Sequence, residues 1–477
     1  MLAVVLAAPA RAQDRAELVK TMDSWYRGAE KRARGQWGIA IADQSGRVLW
    51  EVGAREPMVP ASTVKVLTTG FARTMLGGDA RRPTRVLGQG EVDPQTGDWL
   101  GTWALELNGD PTLEREELAG PTLADLAQQL RARGIRRLTG PLQVRSAEGP
   151  AEASYPSVWS PKHWGRWFAP LVGSLIVREN AISIAVGPGG KAGAPARIVG
   201  EEPRGVGSLV TIRAKTVAGR RSRLALSRRD GGGWVLAGTI GSRALPRRLQ
   251  AMSHDPRAVL RASWAAALRQ AGIDWLPADA LSATAPTREV VVLGEVRSPT
   301  LDSIAVAVNR KSINLGAEAL LRWAGGPERP AELLTEHVRT VTGEESVMLV
   351  DGSGLSYDDR VSPFAFVQYL ARFPATPAGR NFAALLPANG TGTLWRMRRG
   401  LPGAGVVRAK TGTLNEVATL VGYLGRENEV LLFSLMYNGP VPWTARAEQW
   451  RLFRMLGARM TPVEMETPVD EGDLLGG

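Results

Sequence analysis

The chain has 477 residues, no cysteine and only three histidines. This length favours two or three domains rather than one hydrophobic core. The absence of cysteine excludes thiol catalysis, disulfide bonds and cysteine-based metal sites. The histidines, His163, His254 and His337, are too few for a typical multi-histidine metal centre. We therefore expect no metal, no cofactor and no histidine acting as a catalytic base.

The net charge of +12 comes from arginine, because the chain contains 51 arginines and only 8 lysines. One interpretation is a peripheral contact with an anionic polymer or membrane surface. The other, which we favour, is a solvated surface on which basic and acidic residues are mixed. We expect no nucleic-acid partner. Because lysine is scarce, a lysine inside a motif carries more information here than in an average chain.

Residues 1–12 form a short apolar run that ends in Ala10-Arg11-Ala12, the small-x-small pattern of a signal-peptidase site. The pattern predicts a signal peptide and an exported protein that begins near Gln13. The alternative is a frayed N-terminus of a cytosolic protein. No other stretch of the sequence approaches the roughly 18 apolar residues that a membrane-spanning helix needs.

The predicted elements change in character near residue 84. Before it, the patterns predict a helix, a hairpin and a buried helix, at 16–35, 37–52 and 66–75. From there to about residue 287, short strand-like runs stand between glycine and proline turns, with helices only at 123–133 and 257–271. This middle third has the pattern of an inserted, strand-rich module.

The last third again combines helices with strands. In chain order the predicted elements are a helix at 301–323, a strand at 347–350, a helix at 364–373, strands at 406–409, 418–424 and 429–437, and a helix at 444–456. Two flanking segments thus supply helices and strands on either side of the inserted module. They predict an α+β fold in which an antiparallel sheet is covered by helices. We expect the acidic tail at 463–477 to be disordered.

Three short motifs stand in a fixed order along the chain: Ser62-Thr-Val-Lys65, Ser312-Ile-Asn314 and Lys410-Thr-Gly412. Each motif alone is a weak signal. Their joint chance expectation in a chain of this composition is on the order of 0.01, even before their order is required. Coincidence is therefore a poor explanation for finding all three.

The spacing of the first motif suits nucleophilic catalysis. A serine at a helix N-terminus gains from the helix dipole, and a lysine three residues later lies on the same helix face. Burial near a second cation would make Lys65 lose its proton more readily, so that it can act as a general base for Ser62. Lys410 can be that second cation.

The other motif residues suit substrate binding and proton transfer. Ser312 can relay a proton between Lys65 and a leaving amine, and Asn314 can hydrogen-bond a substrate amide. The segment Thr411, Gly412 and Thr413, on a predicted edge strand, offers hydroxyls for a substrate carboxylate. The backbone N–H groups of Ser62 and Thr413 can form an oxyanion hole. The combination predicts a serine acyl-transfer site that needs no histidine.

Each motif residue also has a purely structural alternative. Ser62 can be a helix N-cap, and Lys65 a solvated helix residue. Ser312 and Asn314 can be a pair of caps, and Lys410 a surface strand residue. The rarity of the three motifs together favours the catalytic interpretation.

The three motifs are those of penicillin-recognising serine enzymes. The first two lie 250 residues apart and the last two 98 apart, and a β-lactamase has no room for the first interval. The chain resembles the penicillin-binding protein 4-type, class C low-molecular-mass, D-alanyl-D-alanine carboxypeptidases/endopeptidases. That family carries two extra domains between the first and second motifs. Further matching stretches are Gly109-Asp-Pro-Thr-Leu113, Ser298-Pro-Thr-Leu301, Ala317-Glu318, Asp351-Gly-Ser-Gly-Leu-Ser356, Gly390-Thr-Gly-Thr-Leu394 and Val407-Arg-Ala-Lys-Thr-Gly-Thr413.

The resemblance implies a serine β-lactamase/DD-peptidase-like fold and a domain organisation. The implied divisions are a peptidase domain at 13–85 and 289–462, an inserted domain at 86–174 and 251–288, and a second inserted domain at 175–250. It also implies a periplasmic enzyme that acts on peptidoglycan stem peptides and binds β-lactam antibiotics. The alternatives are a serine esterase or weak β-lactamase of the same superfamily, and a non-catalytic wall-binding scaffold. A scaffold would have no use for Lys65.

Two positions depart from the family pattern. Arg145 and Ser146 stand where the family usually has an aspartate after a strand, and Tyr357 stands where it often has an arginine. In the family these places are associated with the amino and carboxyl groups of the diaminopimelate side chain. The departures predict little preference for a substrate whose side chain carries a free amine.

Overall fold

The computed structural model describes residues 7–230, 232–277, 289–398, 401, 405–426 and 429–456. The acidic tail and the first six residues of the predicted signal peptide lie outside this part of the chain. Within it no helix is long and apolar enough to cross a membrane. The described helices are α1 (Ala7–Arg32), α2 (Val64–Leu76), α3 (Leu123–Ala132), α4 (Pro256–Gln270), α5 (Leu301–Lys311), α6 (Asn314–Gly325), α7 (Pro330–Thr342), α8 (Pro363–Arg372) and α9 (Pro442–Met455).

Most strands are short, and more than half of them fall in the middle of the chain. In order they are β1 (Gln36–Ala42), β2 (Val48–Val52), β3 (Pro83–Val92), β4 (Trp99–Glu106), β5 (Arg137–Thr139), β6 (Gln143–Ser146), β7 (Gly149–Pro150), β8 (Ala153–Ser154), β9 (Val172–Gly173), β10 (Ala181–Gly187), β11 (Arg197–Glu202), β12 (Val210–Ile212), β13 (Lys215–Val217), β14 (Arg223–Arg228), β15 (Trp234–Gly241), β16 (Arg247–Met252), β17 (Asp274–Leu276), β18 (Val291–Arg297), β19 (Val407–Leu414), β20 (Val417–Arg426) and β21 (Glu429–Asn438).

The first compact unit joins the two ends of the sequence, with the described residues up to Ala80 and from Thr300 onward. Its five strands form one antiparallel sheet in the order β19-β20-β21-β1-β2. The hairpin near the start of the chain thus pairs with the strands near its end. The strand β19, which carries the third motif, lies at the edge of this sheet.

Helices cover both faces of this sheet. Along β20, Leu420 packs into a core with α1 and α9, whereas Val421 packs into a core with α2 and α5 to α8. Successive side chains of a strand point to opposite faces, so a central strand that is covered on both sides needs an unbroken apolar run. The sequence of β20 has this run. The predicted α+β fold, an antiparallel sheet covered by helices, is confirmed.

The second compact unit comprises Arg81–Pro299. One sheet has the order β18-β3-β4-β6-β7, another has the order β11-β10-β16, and a third combines β12 to β15. A single hydrophobic cluster includes residues of all three sheets and of α3 and α4. The strand-rich character predicted for this stretch is therefore observed. Its division into two inserted domains stays a prediction.

The structure differs from the predicted elements at three places. The helix predicted over 301–323 is two helices, because Ser312 has left-handed backbone angles (φ 57°, ψ 44°) and ends α5. The apolar periodicity continues across this break because both helices bury the same core. The strand predicted at 347–350 is only an isolated bridge between Met348 and Arg360. Helix α7 was not predicted.

Candidate active site

Ser62 lies in a 3₁₀ turn, Ala61–Thr63, immediately before α2. The turn is anchored at the carbonyl oxygen of Pro60, which accepts hydrogen bonds from Thr63 Oγ1 at 2.6 Å and from Thr419 Oγ1 at 2.7 Å. Thr419 belongs to the central strand β20, so the turn is fixed to the sheet as well as to the helix. Ser62 is half-buried, and its hydroxyl lies at the helix N-terminus as the sequence predicts.

Lys65 is fully buried and donates three hydrogen bonds. Its Nζ atom lies 3.0 Å from Ser62 Oγ, 2.6 Å from Asn314 Oδ1 and 2.6 Å from the carbonyl oxygen of Ser353. Burial lowers the pKa of Lys65 to about 7, against the opposing effect of nearby carboxylates, of which Asp351 is the strongest. At neutral pH a substantial fraction of this side chain is therefore unprotonated and able to accept the proton of Ser62.

Lys410 is the second buried lysine, on the edge strand β19. Its Nζ atom donates to Ser312 Oγ at 3.0 Å and to the carbonyl oxygen of Thr411 at 2.7 Å. Burial lowers its pKa well below the ordinary value, and the charges of Lys65 and Arg446 lower it further. Ser312 reaches Lys410 because the helix ends there, in the left-handed conformation described above.

The loop from Asp351 to Ser356 is built around one buried carboxylate. Asp351 accepts four backbone N–H groups, from Ser353, Gly354, Leu355 and Ser356, at 2.6–3.1 Å. This loop holds the Ser353 carbonyl against Lys65. The contact was not predicted, because the Asp-Gly-Ser-Gly sequence identified a turn but not the group that the turn presents.

A further buried carboxylate supports the same loop. Glu318 of α6 accepts the N–H of Gly352 at 3.1 and 3.2 Å. Burial raises the pKa of Glu318, and the neighbouring charge of Asp351 raises it further. Asp359 is also buried, and its pKa is raised by burial and again by Asp351. These three carboxylates are the charges that partly offset the effect of burial on Lys65.

The edge strand β19 approaches the nucleophile turn closely. A Cβ atom on Gly412 would lie 2.7 Å from the carbonyl oxygen of Pro60 and 3.0 Å from the backbone nitrogen of Ser62. Only glycine allows this approach. The backbone N–H of Ala409 donates to the carbonyl oxygen of Pro387, on the side of β19 that faces away from β20. Backbone groups alternate in direction along a strand, so the N–H of Thr413, four residues later, points to this same open edge of the sheet.

The structure thus brings together the five residues predicted as catalytic. Ser62, Lys65 and Asn314 form one hydrogen-bonded chain, and Ser312 and Lys410 form a second. The predicted substrate-binding residues lie on β19 beside them, with Thr411 half-buried, Gly412 buried and Thr413 exposed.

Three other side chains complete the description of this unit. Arg446 of α9 contacts β19 from within the core and was not predicted. The hydroxyl of Tyr357 accepts the backbone N–H of Asn415, just after β19, at 3.3 Å.

His337 lies away from these residues. Its Nε2 atom is 2.9 Å from the hydroxyl of Tyr369, a residue of the hydrophobic core. Among the described residues no group of three or more histidines and carboxylates is arranged to hold a metal ion.

Residues 19–454 match the D-Ala-D-Ala carboxypeptidase 3 (S13) family. The chain belongs to this family, and the serine-type D-Ala-D-Ala carboxypeptidase class that the resemblance implies is confirmed. It is 30% identical over 433 residues to carboxypeptidase DacB of Mycolicibacterium smegmatis, a match that covers 85% of this chain and 77% of that protein. It is 27% identical over 432 residues to the D-alanyl-D-alanine carboxypeptidase of an Actinomadura species, covering 84% and 77%.

The fold also matches that of a solved structure. Penicillin binding protein 4 (dacB) of Haemophilus influenzae superposes with a TM-score of 0.67 at 20% sequence identity, and the match covers 90% of this chain and 99% of that one. At this identity the match establishes the fold, including its resemblance to the penicillin-binding protein 4 type.

Proposed function

We propose that Ser62 is the nucleophile of a DD-peptidase that acts on peptidoglycan stem peptides. Its Oγ atom attacks the carbonyl carbon of the penultimate D-Ala, while Lys65 accepts the hydroxyl proton. The peptide bond breaks, the terminal D-Ala leaves as the amine, and water then hydrolyses the acyl-enzyme. The observation that carries this proposal is the 3.0 Å contact between Ser62 Oγ and a fully buried Lys65 Nζ.

The leaving amine needs a proton, and the second pair of residues can supply it. Ser312 accepts a hydrogen bond from Lys410, so its own hydroxyl proton can be directed toward the leaving nitrogen, and the proton that Lys65 took from Ser62 then replaces it. Asn314 holds Lys65 through its Oδ1 atom, and we propose that its side-chain amide also binds a substrate amide. The N–H groups of Ser62 and Thr413 would stabilise the oxyanion.

The same chemistry applies to crosslinked stems. If the leaving amine is that of a diaminopimelate side chain rather than free D-Ala, the reaction is a DD-endopeptidase step with identical bond changes. The proposed location is the periplasm, where both substrates occur, in agreement with the signal-peptidase pattern at 10–12.

The first prediction is that penicillin acylates the protein on Ser62. A β-lactam presents a carbonyl and a carboxylate similar to those of D-Ala-D-Ala, so the nucleophile should open its ring and stay esterified. Intact-mass spectrometry after exposure to a labelled penicillin should show one adduct per chain, and peptide mapping should place it on Ser62. The Ser62→Ala variant should show none.

The matched control is Ser45→Ala, which changes an exposed serine in the turn between β1 and β2 and should acylate like the wild type. Release of D-Ala from a stem peptide that ends in D-Ala-D-Ala then separates a peptidase from an esterase or a β-lactamase. An adduct on another residue, or a stable wild-type protein with no adduct, would contradict the assignment of Ser62.

The second prediction concerns pH. Only the neutral form of Lys65 can accept a proton, and its pKa is lowered to about 7 by burial. The second-order rate constant of penicillin acylation should therefore rise about tenfold per pH unit on the acid side and level off above about pH 7. Stopped-flow measurements between about pH 5 and 9, with the fold monitored by circular dichroism, test this. A rate constant that is flat from pH 5 to 7 would exclude Lys65 as the base.

A further inference from the structure

Arg446 is a buried arginine that contacts β19, the strand that carries the predicted substrate-binding residues. It lies on α9 and is only 7% exposed. One guanidinium nitrogen, Nη2, donates to the carbonyl oxygen of Gly412 at 2.6 Å and to Thr413 Oγ1 at 3.2 Å. The other, Nη1, donates to the carbonyl oxygen of Thr419 at 2.8 Å. Arg446 thus connects β19 to β20 at the level of the third motif.

The position of Arg446 is itself fixed by neighbours on the same helix. Gln449 Oε1 accepts from Nη1 at 2.7 Å, and the amide of Gln449 donates to the carbonyl oxygens of Ala418 and Leu435. The ring of Trp450 lies 5.4 Å from the guanidinium carbon. Among the described residues no carboxylate forms an ion pair with Arg446. A buried cation with these partners costs stability, which suggests that its charge serves the site.

A guanidinium group has hydrogen-bond donors and no acceptor. The Thr413 hydroxyl must therefore accept from Arg446, and its single hydrogen is left to point elsewhere. Thr413 is exposed, and its backbone N–H faces the open side of β19, as argued above. The contact with Arg446 consequently presents the hydroxyl of Thr413 to solvent as a donor, with a positive charge directly behind it. That combination recognises an anion.

We propose that Arg446 is a positioning residue: it orients the Thr413 hydroxyl toward the C-terminal carboxylate of the substrate and adds a positive charge behind it. This inference rests on the proposed DD-peptidase function. It adds to that function the residue pair, Arg446 and Thr413, that would make the enzyme require a substrate with a free C-terminal carboxylate. Arg446 does not itself touch the substrate.

The test compares two peptides that differ only at the C-terminus, one ending in D-Ala-D-Ala and the other in the corresponding D-alaninamide. For the Arg446→Gln variant, kcat/KM for the carboxylate peptide should fall on the order of 10- to 100-fold, mainly through KM. The value for the amide peptide should change less than about threefold. Thr413→Val should have the same selective effect, and the double variant should be little worse than either single one.

The matched control is Arg451→Gln, because Arg451 lies on the same helix with its side chain 47% exposed; it should leave both peptides unchanged. If Arg446→Gln does not fold, the same two peptides are compared with two other variants. Arg446→Lys keeps the charge but not the forked donors of the guanidinium group, and Thr413→Val changes an exposed residue. Equal losses for both peptides, or no loss for either, would overturn the proposal. A failure of the DD-peptidase assignment itself would appear instead as wild-type protein without an adduct on Ser62.

Discussion

Replacing Lys65 with arginine is expected to slow penicillin acylation of Ser62 by a factor of about a thousand or more. Guanidinium stays protonated in proteins and cannot accept the serine proton, and general-base catalysis typically contributes about 10²–10⁴-fold to a rate. The substitution keeps hydrogen-bond donors for the Asn314 and Ser353 oxygens. The measurement is the second-order acylation rate constant at pH 8, where wild-type Lys65 is mostly neutral.

The control for this experiment is Lys215→Arg, which makes the same chemical change at an exposed strand position and should leave the rate unchanged. Because Lys65 is fully buried, thermal unfolding must show that the Lys65→Arg protein is folded at the assay temperature. A neutral variant of similar length, Lys65→Met, should also lose acylation. If a folded Lys65→Arg protein acylates within about tenfold of the wild type, then Lys65 is not the base.

The sequence predicts the catalytic side chains of this site better than it predicts the groups that hold those side chains in place. Ser62 and Lys65 could be identified because a three-residue spacing within one helix brings side chains together whatever the rest of the fold does. Lys410 and Ser312 could be paired only through the family pattern, since 98 residues separate them. The same is true of the sheet: alternation within β1 and β2 predicts the hairpin, but not that β21 pairs with β1.

The features that sequence reasoning missed are those made by the backbone or by distant parts of the chain. The Ser353 oxygen is a carbonyl, and every residue has one, so no residue type marks it as a partner for Lys65. Helix α5 ends because one residue, Ser312, has left-handed backbone angles. The helical spacing of apolar residues continues across this position, so the sequence does not show the break. Arg446 is one of 51 arginines, and only its burial against β19 distinguishes it from the solvated ones.

The two buried lysines have different electrostatic surroundings. Carboxylates lie near Lys65, and Asp351 is the strongest of those that raise its pKa against the effect of burial. The charges that act on Lys410 are cations, Lys65 and Arg446, and both lower its pKa. A shift of this sign favours the neutral amine. Lys410 is therefore the more readily neutral of the two amines, and burial, rather than the second cation expected from the sequence, lowers the pKa of Lys65.

The last prediction tests the loop that supports Lys65. Gly354 has φ 73°, and a Cβ atom there would overlap the carbonyl group of Ala61 and lie 3.0 Å from the backbone nitrogen of Ser62. The Gly354→Ala variant must therefore displace either the loop or the nucleophile turn. We expect penicillin acylation of Ser62 to fall by about 10²-fold, since a shift of about 1 Å in a reacting group can cost that much. The rate constant is measured per folded protein.

The comparison that isolates this contact is Gly343→Ala. Gly343 has φ 72°, but a Cβ atom there meets only the end of the Arg372 side chain, at 3.5 Å. Both variants pay for a left-handed alanine, about 1–2 kcal/mol of stability, and only Gly354→Ala adds the collision with Ala61, about 1–3 kcal/mol more. Gly343→Ala should acylate at the wild-type rate. If the two variants unfold at the same denaturant concentration and acylate equally fast, the loop does not hold the nucleophile turn in place.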